Sequence, residues 1–249
     1  MQNLWTLTVR ELKAFWYSPI AYVVGALFLL MQGGVFSLLV AVLNDPRIDP
    51  SWARMSQLFF GGTFFYWFAV LVMPSLLTMR TFSEEKRTGT IEFLLTAPVR
   101  DIQVVLAKFL GAWLAYVQLW ACTVIYFFVL RSFMAFDWSP VVTGFLGTWL
   151  LGGSLIAFGV LASSITRNQV IAALLSFVAT MIFFSLGMLD VFIRDPKTTE
   201  MIRYLSFIEH MRDFSRGIFD TRPAVLYLSL TVIALFLTGR TISNPRWRA

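Results

Sequence analysis

The chain has 249 residues, 58% hydrophobic and only 14% charged, with a mean hydropathy of +0.73, which excludes an ordinary soluble enzyme, where about a quarter of residues are charged. One cysteine, Cys122, and one histidine, His210, rule out an intrachain disulfide, a Cys-based metal site and a bis-His haem. The net charge of +6 fits the cytoplasmic loops of a polytopic membrane protein rather than nucleic-acid binding, and at about 20 apolar residues per crossing the chain has room for six spans.

In chain order, 4–17 places Trp5, Val9, Leu12 and Trp16 at helical spacing with Arg10 and Lys13 on the other face, the pattern of an interfacial helix with its apolar side in lipid and its cations at the headgroups. A plain surface anchor has the same pattern. Ser18-Pro19 breaks this helix. The first span, 20–43, has no ionisable residue and is too long for a cleaved signal peptide. The second, 58–79, holds the pair Gly61 and Gly62, read as tolerated within the helix, and Pro74, expected to kink it near one end.

The segment 80–108 follows. Ser83 with Glu84 and Glu85 reads as a capped helix start, Gly89 as its end, and Thr90 to Ala97 as a second short helix stopped by Pro98, with Ile91, Leu94 and Leu95 as its stripe. Asp101 then caps a helix running through Lys108 into the third span, 109–130. Short helices with charges on one face and leucines on the other suit docking of another protein; a solvated charge run is the bland alternative. The fourth and fifth spans, 141–165 and 170–189, leave room only for a tight hairpin.

Next, 190–223 reads as an amphipathic external helix or helical hairpin. Leu205, Ile208, Met211 and Phe214 lie at near-helical spacing, and Glu209 and Asp213 stand close to Arg212 and Arg216 for ion pairing. The final span, 224–238, is short and needs Arg222 and Arg240 to snorkel or the bilayer to thin. The fold class is therefore all-α integral membrane, a single transmembrane domain over 1–249. With six spans both termini share a side, which carries eleven of the 20 Lys and Arg residues. The segment 190–223 balances its own charge; setting it aside leaves the other side three, so both termini are expected in the cytoplasm. Subtracting Glu11, Glu84, Glu85, Glu92 and Asp101 puts the whole net +6 on that side.

The order Glu84-Glu85-Lys86-Arg87-x-Gly89-Thr90-x-Glu92-x-Leu94-Leu95-x-x-Pro98 resembles the loop between spans two and three of type-2 ABC transporter permeases. Two further stretches are similar to the gliding-motility permease subgroup: Arg10-Glu11-Leu12 with Ser18-Pro19-Ile20-Ala21-Tyr22, and Phe207-Ile208-Glu209-His210 with Asp213-Phe214-Ser215-Arg216-Gly217. The resemblance implies a half-transporter that pairs with a second copy of itself or a related permease in a bacterial inner membrane. It also implies that ATP and magnesium belong to a separate ATPase subunit, that the loop after span two contacts that ATPase, and that short helices before span six plug the external side.

An extracytoplasmic accessory protein is a further expected partner beside membrane lipid. No lysine of the chain sits in a phosphate-binding glycine loop, so no ATPase and no cofactor are expected in the chain itself. No charged residue lies deep in a span, which argues against a proton relay or a highly charged solute and leaves an amphiphilic substrate or mechanical work on an outer partner. Two other readings remain open on sequence alone: a secondary transporter or channel without an ATPase, and an intramembrane enzyme using Glu209, His210 and Asp213.

Overall fold

A computed structural model of the chain describes residues 2–44, 52–90, 101–133, 135–188, 200 and 203–243. It contains six helical stretches long and apolar enough to cross a membrane. The chain begins with α1 (Gln2–Trp16), turns at Ser18 and enters α2 (Pro19–Leu43). Proline opens α2 because the first helical position needs no amide donor.

The second crossing is not one continuous helix. A short helix α3 (Trp52–Gln57) runs into a π-helical turn (Leu58–Gly62), where Phe60 and Gly61 leave helical geometry; α4 (Phe64–Thr78) then restarts. Gly61 takes φ +102°, a conformation open to glycine, so the Gly61-Gly62 pair breaks the helix that was expected to pass through it. Side chains satisfy the break. Thr63 Oγ1 accepts from the Tyr66 amide at 3.3 Å, and Trp67 Nε1 donates to the Gly61 carbonyl at 2.8 Å. Pro74 lies buried inside α4.

After α5 (Ser83–Thr88) the third crossing is α6 (Asp101–Cys122) and, past Thr123, α7 (Val124–Arg131). The long central helix α8 (Ser139–Ile165) is followed by α9 (Gln169–Leu186), whose first amides, those of Val170 and Ile171, are capped by Asn168 Oδ1. The short α10 (Phe207–Phe214) precedes α11 (Thr221–Ser243). At 23 residues, α11 is a full-length span. The expectation of a short sixth span is corrected: hydropathy stops at the first charge, whereas the helix continues through Arg222 and Arg240, and Arg240 lies over the Phe236 ring at 5.4 Å.

Helix α8 is the axis of the bundle and packs against α4, α6, α9, α10 and α11. Its small residues permit close approach. A Cβ at Gly152 would come within 2.1 Å of the buried Tyr116 ring. Buried hydroxyls are paired within the bundle, Tyr66 with Thr148 at 2.9 Å and Ser75 with Ser176 at 3.0 Å, as a membrane interior requires. The outer faces of α2, α9 and α11 are apolar and exposed, among them Leu27, Leu30, Leu174, Val178, Val232 and Phe236.

Candidate functional site

The end of the bundle where α4, α8 and α11 finish and α6 begins carries most of the ordered charge. Its centre is Lys108, only 3% exposed, whose Nζ lies 2.7 Å from Glu85 Oε1 and 3.4 Å from Glu11 Oε2. The ammonium also sits 5.2 Å from the centre of the Phe82 ring. One cation thus ties three elements together: α1 through Glu11, α5 through Glu85 and its own helix α6. Arg10 adds a contact to Glu11 at 3.0 Å. Because both carboxylates are themselves sheltered, each requires the ammonium more than a surface ion pair would.

Helix α5 is fastened on its other flank to the end of α8. Ser163 Oγ accepts from the amides of Phe82 and Ser83 at 3.0 and 3.1 Å, and Lys86 Nζ donates to the Ser164 carbonyl. The expected cap, Ser83, instead turns back and donates to the Met79 carbonyl, and the orphan amides of α5 are satisfied by a residue from a distant helix. Gly89 closes α5 in the left-handed region at φ +72°. Glu85 and Lys86 therefore point inward and do not form the outer charged face; Glu84 and Arg87, paired at 4.0 Å, with Thr88, Gly89 and Thr90, are what this helix presents outward. Glu92, Leu94, Leu95 and Pro98 lie outside the described residues.

The amino-terminal helix is docked on the bundle. Leu12, Phe15 and Trp16 pack on the core, Trp16 Nε1 donates to Gln118 Oε1 at 2.8 Å, and Gly111 of α6 lets Glu11 approach. Trp5, Arg10 and Lys13 remain exposed. Leu12 and Trp16, expected in lipid, thus face α6 and α2, because packing on a helix buries more apolar surface than lying in the interface.

At the opposite end α10 is capped by Ser206 Oγ, which accepts from the Glu209 amide at 3.3 Å. Its inward face is Phe207, His210, Met211 and Phe214, while Leu205 is exposed. Of the expected stripe, Met211 and Phe214 are buried and Ile208 packs on the core, while Leu205, which lies before the helix, is exposed; Phe207 and His210 join the buried face. Thr143 of α8 donates to the Phe214 carbonyl at 2.6 Å, and Gly217, at φ +88°, ends the segment against Ser139. His210 Nδ1 meets the Tyr227 hydroxyl at 3.1 Å, and Glu209 takes Arg212 at 3.2 Å. Burial holds the His210 imidazole below its ordinary pKa, against a backbone hydrogen bond to Tyr204 and the carboxylates of Asp220 and Glu209. Glu209, His210 and Asp213 do not converge on one point, and the described residues contain no metal-binding group of three such side chains. Among the described residues this segment is packed against α8 and α11 through Phe207, His210 and Phe214.

Sequence reasoning singled out Glu85 and Lys86 but missed their partners, Lys108 and the Ser164 carbonyl, and also Glu11, which shares Lys108, and Ser163, which caps the start of α5. Lys108 stands in the sequence only as a lead-in to a span, and nothing local announces a partner 97 residues away. Residues 49–237 match the family described as ABC-2 family transporter protein. A comparison with curated proteins finds no match.

Proposed function

The chain belongs to the ABC-2 family of transporter proteins and is a multi-pass permease of an ABC transporter; from that premise we propose that it passes the work of a separate ATPase subunit to its membrane helices through α5. Membership in the family implies the ATPase partner. ATP and magnesium are then held by that subunit in the cytoplasm, and a second copy of this chain or a related permease completes the transporter in a bacterial inner membrane. The Ser18-Pro19 turn and the Phe207 to Gly217 plug support placement near the gliding-motility subgroup.

The observation that carries this reading is the two-sided attachment of α5. One flank is bound to α6 and α1 through Lys108, the other to α8 through Ser163 and Ser164. A displacement of α5 by a closing ATPase is delivered to the axial helix and to the third crossing together. Its outer charges, Glu84 and Arg87, are available to the partner. The paired hydroxyls and the scarcity of charge inside the bundle support an amphiphilic substrate, or mechanical work on an outer partner, over a charged solute.

Co-expression with candidate ABC ATPase subunits tests the assignment. Reversing both outer charges, Glu84→Arg with Arg87→Glu, is expected to weaken recovery of the ATPase about tenfold, or about 1.4 kcal/mol. An ATPase that never co-purifies with the unaltered chain, or that co-purifies equally with the reversed one, refutes the docking role of α5.

A further inference from the structure

A cavity of about 320 Å³ opens beside the Lys108 cluster, between α1, the end of α4, α5 and α6. Its lining is divided. Phe15, Ile20, Leu76, Leu77 and Ala112 make an apolar wall, while Ser18, Arg80, Thr81, Glu84 and Glu85 make a polar rim. It lies where the apolar run of α2 begins and that of α4 ends, and its size is that of a small ligand site.

Among the charged residues that line the cavity, pairing leaves Arg80 over. Glu85 and Glu11 are served by Lys108 and Arg10, and Glu84 stands by Arg87. Arg80 has no carboxylate partner among the described residues; it reaches only Ser18 Oγ, at 3.5 Å. Its Nε is enclosed without a hydrogen-bond partner, and so is Glu85 Oε2. Two enclosed atoms of opposite character, one donor and one acceptor, thus belong to residues on the wall of one cavity. Buried groups of this kind are rarely left unsatisfied.

We propose that this cavity binds one phospholipid from the adjoining leaflet, of the ethanolamine class. Its phosphodiester takes Arg80 with Ser18, its ammonium donates to Glu85, and its upper chain lies on Leu76, Leu77 and Phe15. Guanidinium and phosphate match in charge and in planar donor geometry. The donor requirement of Glu85 separates the headgroup from choline, whose quaternary nitrogen has no N–H. The lipid would sit under α1 and against α5, so its presence would stiffen the junction those helices share. The site stands on the cavity and its two orphan atoms and does not depend on which protein docks outside.

Native mass spectrometry of the purified full chain in detergent, titrated with lipids of identical chains, tests it. Phosphatidylethanolamine is expected to bind at a single saturable site about tenfold more tightly than phosphatidylcholine, and diacylglycerol not measurably. Arg80→Gln and Ala112→Phe, the latter filling the cavity with Arg80 intact, are each expected to weaken it tenfold or more; Arg222→Gln, an exposed arginine at the far end, is expected to leave it unchanged. If Arg80→Gln does not give monodisperse protein, the Ala112→Phe variant and the headgroup series decide. Equal binding of all three lipids, undiminished binding to Ala112→Phe, full competition by free phosphoethanolamine, or no retained lipid, as for a cavity holding water alone, overturns the proposal.

Discussion

Lys108 is the residue on which the charged end of the molecule depends. Replacing it with methionine keeps most of the side-chain volume but leaves Glu85 and Glu11 without their shared cation, and breaking a buried pair from one side costs about 3–5 kcal/mol. Thermal denaturation in detergent is expected to show a large fall for Lys108→Met and a partial recovery when Glu85→Gln is added, because the second change removes a stranded charge. Equal falls in the single and double variants would show that the pair is not coupled. His210 gives a separate test. Its folded-state pKa lies below the ordinary 6.5, so as pH falls the unfolded chain takes up the proton first. Stability is fully present above the unfolded value and declines as pH falls through it toward the folded one. The melting temperature should drop between neutral pH and pH 5 more steeply in the unaltered protein than in His210→Gln; identical slopes would contradict the buried neutral imidazole. Of these residues, the sequence marked His210 by its rarity, whereas Lys108 and Glu11 acquire their meaning only from a contact across 97 residues.

At the scale of single elements, α5 shows how much a short helix depends on its neighbours. Six residues do not hold a helix in water, and the cap that stabilises this one comes from Ser163. Ser163→Ala removes the acceptor for two amides and should cost about 1–3 kcal/mol, with hydrogen exchange rising at 82–88 more than in α4 or α8. Uniform exchange across the three helices would mean that the cap is unimportant. Gly152→Ala drives a methyl into the Tyr116 ring and should cost about 1–3 kcal/mol through overpacking. Helix existence was readable in the sequence because long uncharged runs have few other solutions. Boundaries were not. Arg222 and Arg240 end the hydropathy signal and so shorten the sixth span on paper, while a glycine pair, compatible with either a helix or a break, leaves the continuity of the second undetermined. Only the packing of Phe60 against Gly144 and the hydrogen bond from Trp67 to Gly61 select the break. The face of α10 is legible at Ile208, Met211 and Phe214, whereas Phe207 and His210 join the buried face only through the helices beneath them, because eight residues give a short stripe.

For the whole molecule, the bundle has one end built from ion pairs and one where the short helix α10 packs on its neighbours, joined by α8, whose two ends touch α5 and α10. The proposed input at α5 and the packed segment at α10 are thus contacts of a single helix, an arrangement that would link the two ends. The proposed point of entry is α5. Site-specific photo-crosslinking in intact membranes tests it directly, with a probe placed in turn at Glu84, Arg87, Thr88 and, at the far end, Phe64. Crosslinks to an ABC ATPase from the three α5 positions and none from Phe64 are the predicted result. Crosslinks absent from all three α5 positions, in membranes where the ATPase is present and bound to the chain, would contradict it.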